Sequence, residues 1–474
     1  MVRSQGLLLG LLLLLTIRAT LAGEIQLPWL SQERPAPAHT TGSRALAENA
    51  ETTTRPATYA TPTERVPPLE LREAVAIAVN RHPSIISAVA GIAQQQSQVD
   101  FAKAGYYPKL SAGVSSGRVN TYGYGQIVSV TLSQMLYDFG KVEGSVTQAQ
   151  GQVWRQQALL LKQIDTIAGQ TAEAVLEVHR QQSLLQIAKE QISAIQEVIQ
   201  IVKMRADSGL TAQSDFIQAT TRLQSALANR QQATTQLNQW RARLSTLVGS
   251  PLPPTVADLP SDLELAAHLD STPDYSQLPD ILVAEAERQS AYGQLQNAKA
   301  QRYPTLALEA TANQALSGIN PENGLSHGRY NTLMLTGSMQ LYDGGAVSAQ
   351  IRGANAGIER AESSINENRL SAENALLQAH ALAVGARTRL GILGQRLASM
   401  TETRGLYREQ YSVGTRSVLD LLNAEQEVYQ AAADQEITRH DFWLGLVNYI
   451  GASGQSRQAY DLDNRFIQEV EITP

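Results

Sequence analysis

Leu136-Tyr137-Asp138-Phe139-Gly140 recurs 205 positions later as Leu341-Tyr342-Asp343-Gly344-Gly345. Gly209, Asp215 and Ala219 return at the same step as Gly414, Asp420 and Ala424. Upstream, Ala102-Lys103-Ala104 with Tyr107, Pro108 and Leu110 matches Ala298-Lys299-Ala300 with Tyr303, Pro304 and Leu306 at a step of 196. Two steps, each held by several residues, describe one duplicated unit with about nine residues gained or lost between Leu110 and Leu136. Internal repetition of this length organises the whole chain.

In each copy the LYD stretch sits where one hydrophobic period gives way to another. Before it, Leu110, Ala112 and Val114 alternate with Ser111, Gly113 and Ser115, and Val128, Val130 and Leu132 alternate with Ser129, Thr131 and Ser133. The second copy repeats this with Leu306, Leu308 and Ala310, then Leu333, Leu335, Gly337 and Met339. Period two predicts strands with one apolar and one polar face. Runs of about nine to eleven residues suit tilted strands crossing a bilayer, and small hydroxyls on the second face suit a wet lumen. Tyr106, Tyr107, Tyr122, Tyr124, Tyr137, Tyr303, Tyr330 and Tyr342 bracket the strands, as an interfacial girdle would. Ordinary hairpin aromatics of a soluble sheet are the alternative.

After LYD-x-G the period becomes helical. Leu160, Ile164, Ile167, Thr171, Ala174, Val178, Gln181, Leu185, Ala188, Ile192, Ile195, Ile199 and Val202 follow 4-3 spacing. Leu376, Ala379, Ala383, Ala386, Leu390, Leu393, Leu397 and Met400 do the same in the second copy. So long a seam predicts a coiled-coil rod of roughly 95 to 100 Å. Each rod stops at a glycine turn, Gly209 or Gly414, and a returning helix follows from about Ala212 and about Ser417.

The domain plan follows. Residues 1–22 read as a secretory signal: Arg3 precedes an apolar Leu7–Ile17 run, and Thr20-Leu21-Ala22 offers a cleavage site. An anchor helix is the competing reading, and Arg18 interrupts it. Residues 23–68 are Pro/Thr/Ala-rich and predicted disordered. A first repeat covers 69–250 with strands near 108–138, a linker 251–277, a second repeat 278–450 with strands near 304–343, and a loosely held tail 451–474. No later segment is long and apolar enough for a membrane helix, so any span must be made by strands.

Net charge is −6 with no basic block, which argues against nucleic acid as a partner, and cysteine is absent. Four strands per chain cannot close a barrel, and open edges are not tolerated in lipid. Cyclic assembly removes the edges, and a trimer would supply twelve strands. The periods themselves therefore predict an exported chain, mainly α, with a transmembrane β-barrel of strands shared between chains and a long coiled-coil helical extension.

The paired LYD-x-G junctions, with Tyr411-Ser412-Val413-Gly414-Thr415-Arg416 followed by Leu419-Asp420-Leu421-Leu422, resemble the TolC-like outer-membrane channel-tunnel family over residues 69 to 450. The resemblance implies a homotrimer whose four strands per chain complete a 12-stranded transmembrane β-barrel in the outer membrane, continued by a long coiled-coil α-helical barrel, working with a periplasmic adaptor (membrane fusion) protein and an inner-membrane transporter. It also implies a periplasmic gate at Ser214, Asp215, Tyr411, Arg416 and Asp420, and adaptor contacts at Gly209 and Gly414. Local roles compete with these. Asp215 and Asp420 lie in first helical turns, where negative charge is favoured, and Ser417-x-x-Asp420 resembles a capping box. Asn423 stands where some relatives carry a second aspartate, which weakens an acidic ring at the entrance.

No Walker A loop, G-x-S-x-G or H-E-x-x-H is present, so catalysis is not expected. The seven histidines show no paired ligand spacing, so neither metal nor cofactor is expected. The leading expectation is an export duct, the exit channel of a type I secretion system with an inner-membrane ABC transporter. Alternatives are the outer-membrane component of an RND-type multidrug efflux pump and a periplasmic coiled-coil scaffold.

Overall fold

The structure is a computed structural model that describes residues 67–119, 123–249, 252–260, 262–269, 275–320 and 325–462. The expected signal, residues 23–66 of the expected disordered extension, Tyr122 and the last twelve residues lie outside that set.

The duplication is laid out in three dimensions. The first copy runs α1 (Leu71–Arg81), α2 (Pro83–Lys103), β1 (Lys109–Val119), β2 (Gly123–Tyr137), α3 (Lys141–Asp207) and α4 (Gln213–Val248). A short helix α5 (Leu263–Ala267) lies between the copies. The second runs α6 (Pro279–Ala300), β3 (Thr305–Ser317), β4 (Arg329–Ser338), α7 (Ala346–Ser412) and α8 (Val418–Ala452), and α9 (Ser456–Ala459) ends the described chain. The two rods, α3 and α7, are each 67 residues long, about 100 Å at 1.5 Å per residue.

The LYD-x-G junction has a structural cause. Asp138 accepts from the Gly140 N–H at 3.0 Å and from the Val142 N–H at 2.6 Å. Asp343 does the same for Gly345 at 2.8 Å and Val347 at 2.6 Å. Each carboxylate thus satisfies otherwise orphaned N–H groups where a rod begins. Gly140 and Gly345 take φ of +97° and +89°, which turns the chain from strand into helix at no side-chain cost. The N–H of Val347, then that of Gly345, holds the Asp343 carboxyl below its usual range.

The strands form one antiparallel sheet in the order β1-β2-β3-β4. Register places Leu110, Leu132, Ala310 and Leu333 side by side in one row. The next row, on the opposite face, is Ser111, Thr131, Thr311 and Thr332, with the Thr131 and Thr311 hydroxyls 3.3 Å apart. Apolar alternation therefore gives the first row's face a greasy band, whose Leu110 and Leu333 are 72% and 70% exposed, and which turns polar toward the hairpin end at Asn331, Gln314 and Arg329. The outer edges of β1 and β4 carry no strand partner among the described residues. β2 includes Tyr137, paired with Leu306 across a bulge, whereas β4 stops at Ser338. Leu341 and Tyr342 consequently lie outside any strand, because β4 has a neighbour on one side only and β3 offers no residue before Thr305. At the base of the sheet Phe139 stacks on Tyr303, ring centres 5.2 Å apart, and meets Tyr137 edge-on.

Along α3 the heptad positions are buried, apart from Leu185 and Ile199, which are half-buried. Thr171 fits this seam by donating its hydroxyl to the Ile167 carbonyl at 2.7 Å. On α7, Leu376, Ala379, Ala383, Ala386 and Leu393 are buried, while Leu390, Leu397 and Met400 are half-buried. The largest apolar core joins both repeats, drawing on α1, α3, α4, α7 and α8.

Two stretches are more ordered than composition implied. The linker is strapped down where Leu69 and Val256 form a parallel bridge, and α5 puts Leu263 and Ala267 into the core. The expected tail carries α9 against α3, with Arg457 Nε 3.5 Å from Asp165, and buries Tyr460 and Leu462. A ring and a leucine spaced among polar residues show no period, so their burial is invisible until α3 is placed beside them. No single described helix is long and apolar enough to cross a membrane, although the bent pair α1–α2 meets that length and composition together.

Candidate functional site at the helix tips

Each rod ends in the same hydrogen-bonded turn. Leu210 N–H donates to the Arg205 carbonyl at 2.9 Å, and Thr415 N–H donates to the Gln410 carbonyl at 3.0 Å. Such six-to-one closure needs a left-handed residue, supplied by Gly209 (φ +69°) and Gly414 (φ +83°). Both glycines therefore terminate helices, whatever else docks on them.

The two turns pack together over a small apolar cluster. Ile192, Ile195, Val198 and Val202 of α3 meet Ala219 and Ala226 of α4, and Val418, Leu421 and Leu422 of α8. Tyr411 belongs to it and is only 4% exposed.

Among the residues expected to gate, contacts are unevenly shared. Asp215 accepts from the Thr211 hydroxyl at 2.5 Å and lies near Tyr411. The Tyr411 hydroxyl is buried without a hydrogen bond of normal geometry. Its burial, opposed by Arg205 and reinforced by Asp215, raises the pKa of the phenol. Ser214 is exposed and accepts or donates no side-chain hydrogen bond among the described residues. Arg416 stays on its own tip. It donates to Gln410 at 2.9 Å, approaches Asp420 at 3.8 Å and lies over the Tyr407 ring at 4.4 Å. Asp420 completes a capping arrangement, because Ser417 Oγ accepts its N–H at 3.1 Å and donates to its carboxylate at 2.8 Å. Within one chain, then, Asp215 acts on Tyr411 through its charge and bonds to Thr211, while Arg416 pairs on its own tip.

Among the groups that cross between the repeats here is Arg205, in the last turn of α3. Its Nη1 donates to the Tyr411 carbonyl at 2.9 Å and the Ser412 carbonyl at 3.2 Å, and its guanidinium lies 5.1 Å from the Tyr411 ring centre. A cation there adds a donor to carbonyls at the negative end of α7, of which that of Tyr411 also accepts the Gly414 N–H at 3.1 Å. Arg222 reaches Asn423 at 3.0 Å, and Arg408 reaches Glu197 at 2.5 Å. Arg404 meets the buried Glu425 at 3.5 Å; burial raises that carboxyl's pKa and Arg404 opposes the rise. Arg205 could have been suspected from its place in a last helical turn, but nothing in the sequence says which helix end it serves.

The chain matches the family described as "Outer membrane efflux protein" over residues 75–250 and 276–441. It is 23% identical over 395 residues to the outer membrane efflux protein BepC of Brucella suis biovar 1, covering 81% of this chain and 85% of that one. It is 24% identical over 346 residues to the alkaline protease secretion protein AprF of Pseudomonas aeruginosa, covering 69% of each. The fold is similar to that of the outer membrane protein VceC of Vibrio cholerae, with a TM-score of 0.69, 18% identity, and 81% and 96% of the two chains covered. The family match spans both repeats, and the chain therefore belongs to the outer membrane efflux protein family, TolC-like channels of the outer membrane whose helices form a periplasmic tunnel.

Proposed function

We propose that three copies share their sheets as a 12-stranded barrel, continue as a helical tube, and act as a passive export duct without catalysis. The sheet carries this reading: one face bears an exposed apolar band, the other bears a row of hydroxyls, and both edges lack strand partners among the described residues. Unpaired backbone groups in hydrocarbon cost several kcal/mol each, so β1 of one copy pairs with β4 of the next. A second exposed seam supports lateral packing of the rods, since Leu370, Leu377 and Val384 recur every seven residues on α7.

The duct serves a type I secretion system, with an inner-membrane ABC transporter and a periplasmic adaptor that docks on the tips around Gly209 and Gly414. The name of AprF supports secretion, while that of BepC supports efflux, of which an RND-type pump is the second reading. Asp215, Tyr411 and Arg205 form the latch core, with Ser214, Arg416 and Asp420 facing neighbouring copies. The test is complementation of a bacterium lacking its own channel. Secretion requires that a type I substrate reach the medium when transporter and adaptor are co-expressed. Restored drug resistance without secreted protein would favour efflux.

A further inference from the structure

Far from the tips, two histidines 261 residues apart face each other. His179 of α3 and His440 of α8 place Nδ1 and Nε2 2.9 Å apart. The outer nitrogen of each is already engaged. His440 Nδ1 lies 2.9 Å from the Glu436 carbonyl oxygen, which can only accept, so that nitrogen carries the proton. His179 Nε2 lies 3.2 Å from the Asp258 carboxylate, again an acceptor. With both outer nitrogens donating, neutral rings would point two lone pairs at each other, and only a cation between them relieves that.

The donor set suits a metal ion. Holding a ligating imidazole by its other N–H, through a carbonyl or carboxylate, is the usual outer-shell arrangement of metal sites. Glu436, one turn before His440, adds a carboxylate, and one ligating atom from each of the three lies within 4.8 Å of the others. Arg439 takes Glu436 Oε2 at 2.8 Å, and Oε1 lies 3.5 Å from the outer His440 Nδ1, so the carboxylate must swing toward Nε2 to join the two imidazoles on a metal. A zinc ion bonded to both nitrogens would hold them about 3.3 Å apart, from bond lengths near 2.05 Å in a tetrahedral site, so the rings need part by only a few tenths of an ångström. Glu436, Asp258 and Glu177 oppose the nearby Arg180 and Arg439. Trp443 meets both rings edge-on, and a cavity of about 670 Å³ lined by His179, Asp258 and Glu436 provides access.

We propose that His179, His440 and Glu436 bind one divalent transition-metal ion of the zinc class, with Asp258 orienting His179, where the two repeats and their linker meet. Sequence spacing hid the site because its ligands come from different repeats. The inference is independent of channel function.

The test uses detergent-purified full-length protein stripped with chelator and dialysed against zinc chloride or cobalt chloride. One equivalent per chain by mass spectrometry and a visible cobalt d–d band are expected. Loss of an outer-shell partner costs 10- to 100-fold in affinity, so Asp258→Asn should weaken zinc binding about that much and His179→Gln at least about 100-fold. His179 is the less buried of the pair, so H179Q stays informative if H440Q fails to fold. Substoichiometric zinc, or binding unchanged in H179Q, overturns the proposal. So does a pair that exchanges only protons, with histidine resonances moving with pH and not with zinc.

Discussion

Arg205 and Tyr411 tie the end of one rod to the end of the other. The guanidinium donates to the Tyr411 carbonyl at 2.9 Å while lying against the ring of the same residue. The contact joins the first repeat to the second through an obligatory backbone acceptor, so its geometry does not depend on the partner's side chain.

Arg205→Ala should therefore loosen the tips. Charge-assisted hydrogen bonds contribute about 1.5–3 kcal/mol, and loss of that order should raise single-channel conductance in planar bilayers. Arg416→Ala removes a half-exposed pairing within one tip and should cost less than about 1 kcal/mol, leaving conductance close to wild type. If R416A opens the channel as widely as R205A, contacts to neighbouring copies govern the gate instead.

The Asp138 cap is a separate test. Asp138→Ala leaves the Gly140 and Val142 N–H groups without their acceptor and should lower thermal stability by about 0.5–2 kcal/mol. Asp138→Asn, which can still accept, should lose less. Calorimetry of the three proteins ranks them, and equal loss in both variants would mean that charge rather than capping matters.

Asp165 makes stability depend on pH. Burial raises its carboxyl to about 6, and Arg457 opposes only part of that rise. The folded state therefore holds this proton more tightly than the unfolded chain. Its stabilising effect is complete below about pH 4 and is lost as pH climbs through about 6, a change of about 3 kcal/mol. Asp165→Asn should flatten the fall in unfolding temperature between pH 5 and 7.5. Parallel profiles for the two proteins would contradict this.

The two faces of the sheet should respond oppositely to charge. Leu132→Arg puts a cation on the apolar face, at a cost of about 2–4 kcal/mol near the bilayer midplane, and should abolish heat-modifiable migration. Thr131→Arg, one residue away on the hydroxyl face, should assemble and change ion selectivity. Equal tolerance at both positions would mean that the greasy face does not meet lipid.

Much of this architecture was legible because period is a local property. Alternation at 110–114 and 128–132 and the 4-3 seam from Leu160 to Val202 each report which face is buried, and the repeat step located both rods. The helix-starting role of LYD-x-G needed geometry, since an aspartate before glycine reads equally well as a turn. Contacts between repeats were not legible. Arg205 with Tyr411 and His179 with His440 are pairs 206 and 261 residues apart, and helix-surface residues do not announce their partners. Tyr460 and Leu462 were hidden for the same reason, since their burial depends on α3.

The shared barrel is tested most directly by the mass of the detergent-solubilised particle. Native mass spectrometry should find three chains per particle, insoluble without detergent and dissociating on heating. A monodisperse single chain in detergent-free buffer would contradict it.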